Sequence, residues 1–168
     1  MDTLQIDTAL EGFLGYAMKR AMSVVQADLA VTLARFDLRA TSFSALMVVV
    51  ERPGIAQTDL ADALAIERSN LVQIVDALCG AGHIARAPVQ GDRRRHALMP
   101  TDRGLALAAN AAAAVAAHEA RVFGRLTGAE RKALGQMLAK VRARVGDQTG
   151  VGDQTGFGDQ TGASHNSI

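Results

Sequence analysis

A chain of 168 residues, 49% of them hydrophobic, is long enough to form one domain with a sizeable core. The formal net charge is only +1, which excludes a strongly basic protein, so any nucleic-acid partner must be recognised by locally clustered arginines. Cys79 is the single cysteine, so an internal disulfide framework is excluded, and without a leader or a spanning apolar run we expect a cytosolic protein with no membrane partner.

The N-terminal segment, residues 4–34, is predicted to form one long helix that Gly12 and Gly15 weaken. Its apolar residues recur at helical spacing and make a broad stripe: Leu10, Phe13, Leu14, Ala17, Met18, Ala21, Met22, Val25 and Leu29. One small domain cannot cover so broad a stripe. We therefore expect part of this helix to be buried against a second copy of the chain.

A second, shorter helix follows a break at residues 35–38. It is predicted over residues 43–50, with Thr41 or Ser42 as its N-cap, because a hydroxyl at that position can accept an unpaired backbone N–H. The helix should end before Pro53, since a proline disfavours the helical conformation of the residue that precedes it.

Two further helices are predicted between residues 57 and 82. Their apolar residues recur every three or four positions, so both helices can bury one face in a common core: Leu60, Ala61, Leu64, Ile66, Leu71, Ile74, Val75 and Leu78. Thr58 is a plausible N-cap of the first helix. The second begins near Arg68 and ends at Gly80-Ala81-Gly82, because glycine readily adopts the left-handed conformation that stops a helix.

The exposed face of the second helix carries side chains that can hydrogen-bond to base edges and phosphates: Arg68, Ser69, Asn70 and Gln73. This pattern is typical of a helix-turn-helix motif whose second helix reads DNA. We include Thr58, at the start of the first helix, among the candidate DNA contacts.

A basic hairpin is predicted next, with short strands at residues 83–87 and 96–99. Its turn contains three consecutive arginines, which are poor core material and can enter a minor groove or bind phosphates. Asp92 can orient one of them through a charge-assisted hydrogen bond. A solvated loop is the alternative, but the preceding helix pair favours a DNA-binding wing with these contacts: Asp92, Arg93, Arg94 and Arg95.

The C-terminal part is predicted to contain two helices and a disordered tail. An alanine-rich helix starts at Pro100-Thr101, and the final helix starts at a capping box made by Thr127 and Glu130. Both should help to form the dimer. Residues 146–168 contain three GDQTG repeats and too few apolar side chains to offset chain entropy, so we expect this tail to be disordered. The alternative is a calcium-binding solenoid, but the regular inward apolar positions that such a solenoid needs are missing.

Several of these stretches resemble the MarR (multiple antibiotic resistance regulator) family of winged-helix repressors over about residues 10–145. The matching segments are Phe36-Asp37-Leu38-Arg39-Ala40-Thr41, Gly82-His83-Ile84, Gly91-Asp92-Arg93-Arg94 and Thr101-Asp102-Arg103-Gly104. Two positions depart from the family's pattern: Gln73 stands where arginine is frequent, and Pro100 interrupts the usual leucine-threonine step.

The resemblance implies a mainly α fold with a small β-wing, a winged helix-turn-helix that dimerises through its N- and C-terminal helices. We expect a dimerisation helix at residues 1–34, a DNA-binding lobe at 35–100, dimerisation helices at 101–145 and a disordered tail at 146–168. The partners implied are double-stranded DNA with a pseudo-palindromic operator, a second copy of the chain, and a small-molecule effector.

Effectors of this family commonly bind where the dimerisation helices meet the DNA-binding lobe, and many are phenolic or aromatic acids or their thioesters. The residues expected to line such a pocket are Phe13, Tyr16, Lys19, Arg20, Phe36, Phe43 and Met47. Aromatic and methionine side chains can hold a planar body, while Arg20 or Lys19 can pair with a carboxylate. The alternative is that Phe13, Phe43 and Met47 are ordinary core and Lys19 is solvated.

The leading hypothesis is a dimeric, ligand-responsive repressor. The alternatives are a DNA-binding regulator without an effector and a helical interaction module that has lost DNA binding. An enzyme is disfavoured, because the four histidines fall in different elements without metal-ligand spacing and no nucleophile or phosphate-loop motif is present. We expect no cofactor and no metal, with each histidine structural or solvated and Cys79 a small buried residue rather than a redox sensor.

Overall fold

The structure, a computed structural model, describes residues 10, 12–89 and 92–146, without the side chains of residues 89, 92–96 and 144–146. The chain divides into two compact units, Met1–Gly124 and Arg125–Ile168. The first contains α1 (Leu14–Ala34), α2 (Ala40–Glu51), β1 (Ile55–Ala56), α3 (Gln57–Leu64), α4 (Arg68–Gly80), β2 (Ile84–Val89), β3 (Asp92–Pro100) and α5 (Asp102–Val122), and the second contains α6 (Gly128–Gly146). The predicted fold class, mainly α with a small antiparallel sheet, is confirmed.

The start of α1 differs from the prediction. The helix begins at Leu14, and Phe13 before it has an extended backbone with no side-chain cap, so the prediction that residues 10, 12 and 13 are helical is wrong. Glycine at position 12 accounts for this, because it disfavours the helix where few backbone hydrogen bonds hold it. The rest of the predicted N-terminal extension, residues 4–9 and 11, lies outside the described residues.

The predicted N-caps of α2 and α3 are also wrong. Arg39 precedes α2, so Thr41 and Ser42 lie inside that helix. Ala56 precedes α3, and the hydroxyl of Thr58 donates to the Asp59 carboxylate at 3.3 Å instead of capping. The cause at α3 is the short strand β1, whose pairing with β3 fixes the backbone immediately before the helix.

The core of the first unit lies where the helical periodicity places it. Leu60 of α3 and Leu71 and Val75 of α4 are fully buried, together with Leu46 of α2 and Leu98 of β3. Leu64 and Ile66 are half-buried against the same cluster. The helix pair is therefore packed on α2 and on the central strand of the sheet, whose order is β1-β3-β2. This packing fixes which face of α4 points to solvent.

The end of α4 is joined closely to the start of α5. Gly82 has φ +72°, and the His83 N–H donates to the Leu78 carbonyl at 2.9 Å, which closes the helix as a Schellman motif. Thr101 caps α5, because its hydroxyl accepts the Gly104 N–H at 3.0 Å and donates to the Gly82 carbonyl at 2.7 Å. The predicted end of α4 is confirmed, and the first turn of α5 is anchored to it.

An ionic cluster ties α1 to α5. His118 is 2% exposed, and its Nδ1 lies 2.5 Å from Oδ2 of Asp28, which also accepts a hydrogen bond from Arg121 at 2.5 Å. Because a carboxylate can only accept, Nδ1–H of His118 is the donor. These hydrogen bonds, with that from His118 the larger cause, lower the pKa of the Asp28 carboxyl. His118 is therefore structural. This is one of the two roles, structural or solvated, that we predicted for the histidines.

We expect Asp28→Ala to lower the melting temperature at pH 7 more than Glu119→Ala, an exposed change on α5. A carboxyl whose pKa is lowered by folding adds stability above its unfolded pKa, about 4, and loses that contribution as pH falls through the folded pKa. The difference in melting temperature between parent and Asp28→Ala should therefore shrink below about pH 4. Thermal unfolding followed by circular dichroism across pH measures this, and a constant difference would contradict it.

The second unit begins with the predicted capping box. The Thr127 N–H donates to Oε2 of Glu130 at 2.7 Å, and the Glu130 N–H donates to the Thr127 hydroxyl at 3.3 Å. The bonds from Thr127 lower the pKa of the Glu130 carboxyl. Met137, Leu138 and Val141 of α6 are exposed, so this helix presents apolar side chains to solvent in the described chain.

Candidate nucleic-acid interface

The helix α4 presents the predicted polar face to solvent. Its buried residues are Leu71, Ile74, Val75 and Leu78, which follow the helical period and face the core. The predicted DNA contacts lie away from this stripe and are all exposed: Arg68, Ser69, Asn70 and Gln73. All four lie in the first half of a 13-residue helix, the part that enters the major groove in helix-turn-helix proteins.

The hairpin after α4 is longer than predicted. β2 and β3 pair antiparallel from Ile84 opposite Pro100 to Pro88 opposite His96, and the register shifts between Pro88 and Val89. Residues 92–95 therefore belong by their backbone to β3, and the prediction that they form the turn is wrong. Beyond the shift Val89 pairs with Asp92, so the strand begins at Asp92 and the backbone between Asp92 and His96 is included in it. The tip, residues 90–91, lies outside the described residues.

An ion pair joins α4 to the hairpin. Arg86 of β2 donates to the Asp76 carboxylate of α4 at 2.5 Å, and this bond raises the pKa of the Arg86 guanidinium. The pair links α4 to the base of the hairpin and compensates the charge of the Asp76 carboxylate. This pair was not predictable from the sequence, because its two residues are ten positions apart in different elements and no local pattern connects them.

Cys79 lies beside this ion pair and is half-buried. Burial raises the pKa of the Cys79 thiol, outweighing the opposite effect of Arg86. A raised pKa disfavours the thiolate, which is the reactive form of cysteine. This agrees with the interpretation of Cys79 as a packing residue rather than a redox sensor.

The predicted effector residues occupy two different environments. Phe36, Phe43 and Met47 are half-buried and pack against the core. Phe13 is 65% exposed at the start of α1. Along the same helix, the guanidinium of Arg20 lies 5.9 Å from the centre of the Tyr16 ring and donates to the Tyr16 hydroxyl at 3.2 Å. The structure therefore pairs Tyr16 with Arg20, packs Phe36, Phe43 and Met47 against the core, and leaves Phe13 exposed.

Two cavities of the first unit have other linings. One of about 330 Å³ lies between α1 and α2 and is lined by Gln26, Leu29, Ala30, Ala34, Leu38, Arg39 and Ala40. One of about 160 Å³ is lined by Ala40, Thr41, Ser44, Leu64 and Ile66. Neither contains any of the residues predicted to line an effector pocket. Sequence analysis missed Arg39 as a candidate anion contact, although it stands beside the apolar residues of the larger cavity.

Among the described residues, no group of three or more histidine, cysteine, aspartate or glutamate side chains is placed to hold a metal ion. No described helix combines the length and the apolar character needed to cross a membrane.

Comparison with known proteins identifies relatives that match about three quarters or more of this chain. The HTH-type transcriptional repressor Rv2887 of Mycobacterium tuberculosis is 32% identical over 129 residues, which are 76% of this chain and 92% of that protein. A structure of the Mycobacterium tuberculosis MarR family protein Rv2887 in complex with salicylic acid matches with a TM-score of 0.64 and 29% identity, over 79% of this chain and 98% of the other.

The transcriptional repressor CouR matches in two solved complexes. CouR bound to a 23-mer DNA duplex has a TM-score of 0.78 and 39% identity, covering 84% of this chain and 99% of the other. CouR bound to p-coumaroyl-CoA has a TM-score of 0.73 and 37% identity, covering 84% and 98%. The family model described as MarR family matches residues 36–95, from just after α1 to a point within β3. This chain therefore belongs to the MarR family, a family of DNA-binding transcriptional regulators.

Proposed function

We propose that the protein is a dimeric, sequence-specific transcriptional repressor that a small aromatic or phenolic acid, or its thioester, releases from its operator. The observation that carries this proposal is the exposed polar face of α4 beside a hairpin bearing three arginines, in a chain similar to a repressor solved on DNA. Such a protein binds DNA in the cytoplasm and catalyses no reaction. Its proposed organisation is a DNA-binding lobe at residues 35–100 between dimerisation helices at 1–34 and 101–145.

The DNA contacts divide into two groups. Gln73 can donate to N7 of an adenine and accept from its N6 amino group. Ser69 and Asn70 can reach bases or phosphates from the same face of α4. Arg68 and Thr58 lie at the starts of α4 and α3, where side chains and backbone N–H groups favour phosphate contact. The wing residues Asp92, Arg93, Arg94 and Arg95 are proposed to bind in the minor groove or on the backbone beside it.

Dimerisation through the terminal helices is supported by unburied apolar surface. Leu14, Met18 and Met22 continue the line of Val25 and Leu29 at four- and three-residue spacing, and the first three are exposed in the described chain. Surface of this kind favours association with a matching surface. A second copy would align two α4 helices with successive major grooves about 34 Å apart. A stable folded monomer in sedimentation at micromolar concentration would contradict the dimer.

The effector proposal is supported by the cavity between α1 and α2. Its volume of about 330 Å³ reaches the lower end of the range of small-molecule sites, and Leu29, Ala34 and Leu38 give it apolar walls. Arg39 at its edge, and Arg20 or Lys19 on α1, are cations that can pair with an anionic effector. CouR with p-coumaroyl-CoA and Rv2887 with salicylic acid support aromatic acids and thioesters as the class to test.

Filter binding tests the function, with DNA selected from a random pool and with salicylic acid or p-coumaroyl-CoA added. We expect one of these compounds to weaken DNA binding about 100-fold, a coupling of about 2.7 kcal/mol and within the range of allosteric proteins. Absence of any selective DNA binding would favour an interaction module. DNA binding that neither compound alters would favour a regulator that does not respond to these effectors.

Arg20→Ala should weaken binding of the active compound about tenfold or more, because a charge-assisted hydrogen bond to its carboxylate is lost, while ligand-free DNA binding stays nearly unchanged. Titration calorimetry measures this, and Arg39→Ala is the matched variant because it removes an equal charge at the cavity. If Arg39→Ala lowers affinity and Arg20→Ala does not, the effector occupies the cavity between α1 and α2, and the predicted lining is wrong.

A further inference from the structure

Val72 is the one large hydrophobic side chain of α4 that is exposed, at 43%. It lies one turn after Arg68 and Ser69 and directly before Gln73, among residues proposed to face DNA. Valine is a poorer helix former than alanine, lysine or glutamate, so neither core packing nor helix stability accounts for it at an exposed position. A role in contact with another molecule accounts for it better.

We propose that Val72 is a specificity-determining residue that contacts the 5-methyl group of a thymine in each operator half-site. In the major groove, thymine alone of the four bases presents a methyl group, and apolar side chains recognise it by excluding water. The inference rests on the proposed function, because it assumes that α4 enters the major groove.

The surroundings of Val72 favour this role. Ser69, three residues earlier, and Asp76, four residues later, are its neighbours along the helix surface. Asp76 is held by Arg86 at 2.5 Å, so the carboxylate closest to Val72 along α4 is compensated and does not repel the nucleic acid. The isopropyl group of Val72 therefore lies between the small hydroxyl group of Ser69 and the compensated carboxylate of Asp76. In this position it can reach a base edge.

The same contact disfavours cytosine. Cytosine lacks the methyl group and presents an N4 amino donor in the major groove. Neither this donor nor the O4 acceptor of thymine gains a hydrogen bond from Val72, so the methyl group is what favours thymine. At the operator position that faces Val72, the protein should therefore prefer thymine. This preference is separate from that for any base that Gln73 reads.

A thymine-to-uracil scan tests the proposal, since each replacement removes one methyl group and leaves base pairing intact. DNA bound by the parent protein is selected from a random pool, and each thymine is replaced singly. We expect one position in each half-site at which uracil weakens binding of the parent about fourfold, the effect of losing one buried methyl group. With Val72→Ala, uracil at that position should change the affinity by less than twofold.

Val24→Ala is the matched control, because it truncates an exposed valine on α1 and should keep the uracil penalty of the parent. Should Val72→Ala bind too weakly to measure, the scan of both proteins is repeated at lower salt, where phosphate contacts strengthen binding. An equal uracil penalty in parent and variant at every thymine, or no penalty anywhere in the parent, overturns the role of Val72 while DNA binding by the parent still stands. A parent that selects no DNA overturns the proposed function itself.

Discussion

Gly104→Ala should lower the free energy of unfolding by about 3 kcal/mol, because overpacking costs about that much where the backbone cannot move aside. A Cβ at position 104 would lie 1.9 Å from the carbonyl oxygen of His83, which is backbone and cannot rotate away. Either the first turn of α5 or the start of β2 must shift. The shift would also break the bond from the Gly104 N–H to the Thr101 hydroxyl.

Urea unfolding at fixed protein concentration measures the effect, since the stability of a dimer depends on concentration. Gly80→Ala is the control, because a Cβ there meets nothing within 4 Å and no positive φ is required. Gly80→Ala should raise the free energy of unfolding by no more than about 1 kcal/mol. Equal midpoints for the Gly104→Ala protein and the parent would show that the junction of α4 and α5 is not rigid.

The repeating apolar positions made the helix pair predictable. Leu60, Leu71 and Val75 are buried as expected, since a three- and four-residue spacing admits one arrangement in which both helices cover a core. The end of α4 was also predictable, because Gly82 adopts the left-handed conformation that a Schellman motif requires. Both features depend on residues that are close in sequence.

Features that depend on distant partners were not predictable. The strand β1 has only two residues, too few to show alternation, and it exists because β3 lies beside it. That pairing moves the start of α3 away from the cap expected at Thr58. The bond between Asp28 and His118 joins residues 90 positions apart, and neither has a neighbour in sequence that indicates the other.

The candidate site divides in the same way. The exposed face of α4 follows from the period of its buried residues, so Ser69 and Gln73 were found. The cavity beside Arg39 arises from the packing of α1 on α2, which no periodicity specifies. The DNA-binding and effector-binding roles assigned to individual residues stay predictions, and the variants proposed for them are the tests.

Arg94→Ala should weaken operator binding by about 1 to 3 kcal/mol and reduce the salt dependence of binding. An arginine that neutralises one phosphate releases counterions when DNA binds, so its loss should lower the slope of log affinity against log salt by about 0.9 for each contact. The proposed dimer would carry two such contacts. Asp92→Ala should cause a smaller loss, because its proposed role is to orient an arginine.

Filter binding across a salt series measures both quantities, with circular dichroism to verify the fold. Arg131→Ala is the control, since it removes the same charge from an exposed position on α6. If net charge alone set the affinity, both variants would flatten the salt dependence equally. A direct phosphate contact instead predicts a large change for Arg94→Ala and almost none for Arg131→Ala, and an unchanged slope for Arg94→Ala would exclude the wing contact, because counterion release depends on where the charge meets the DNA.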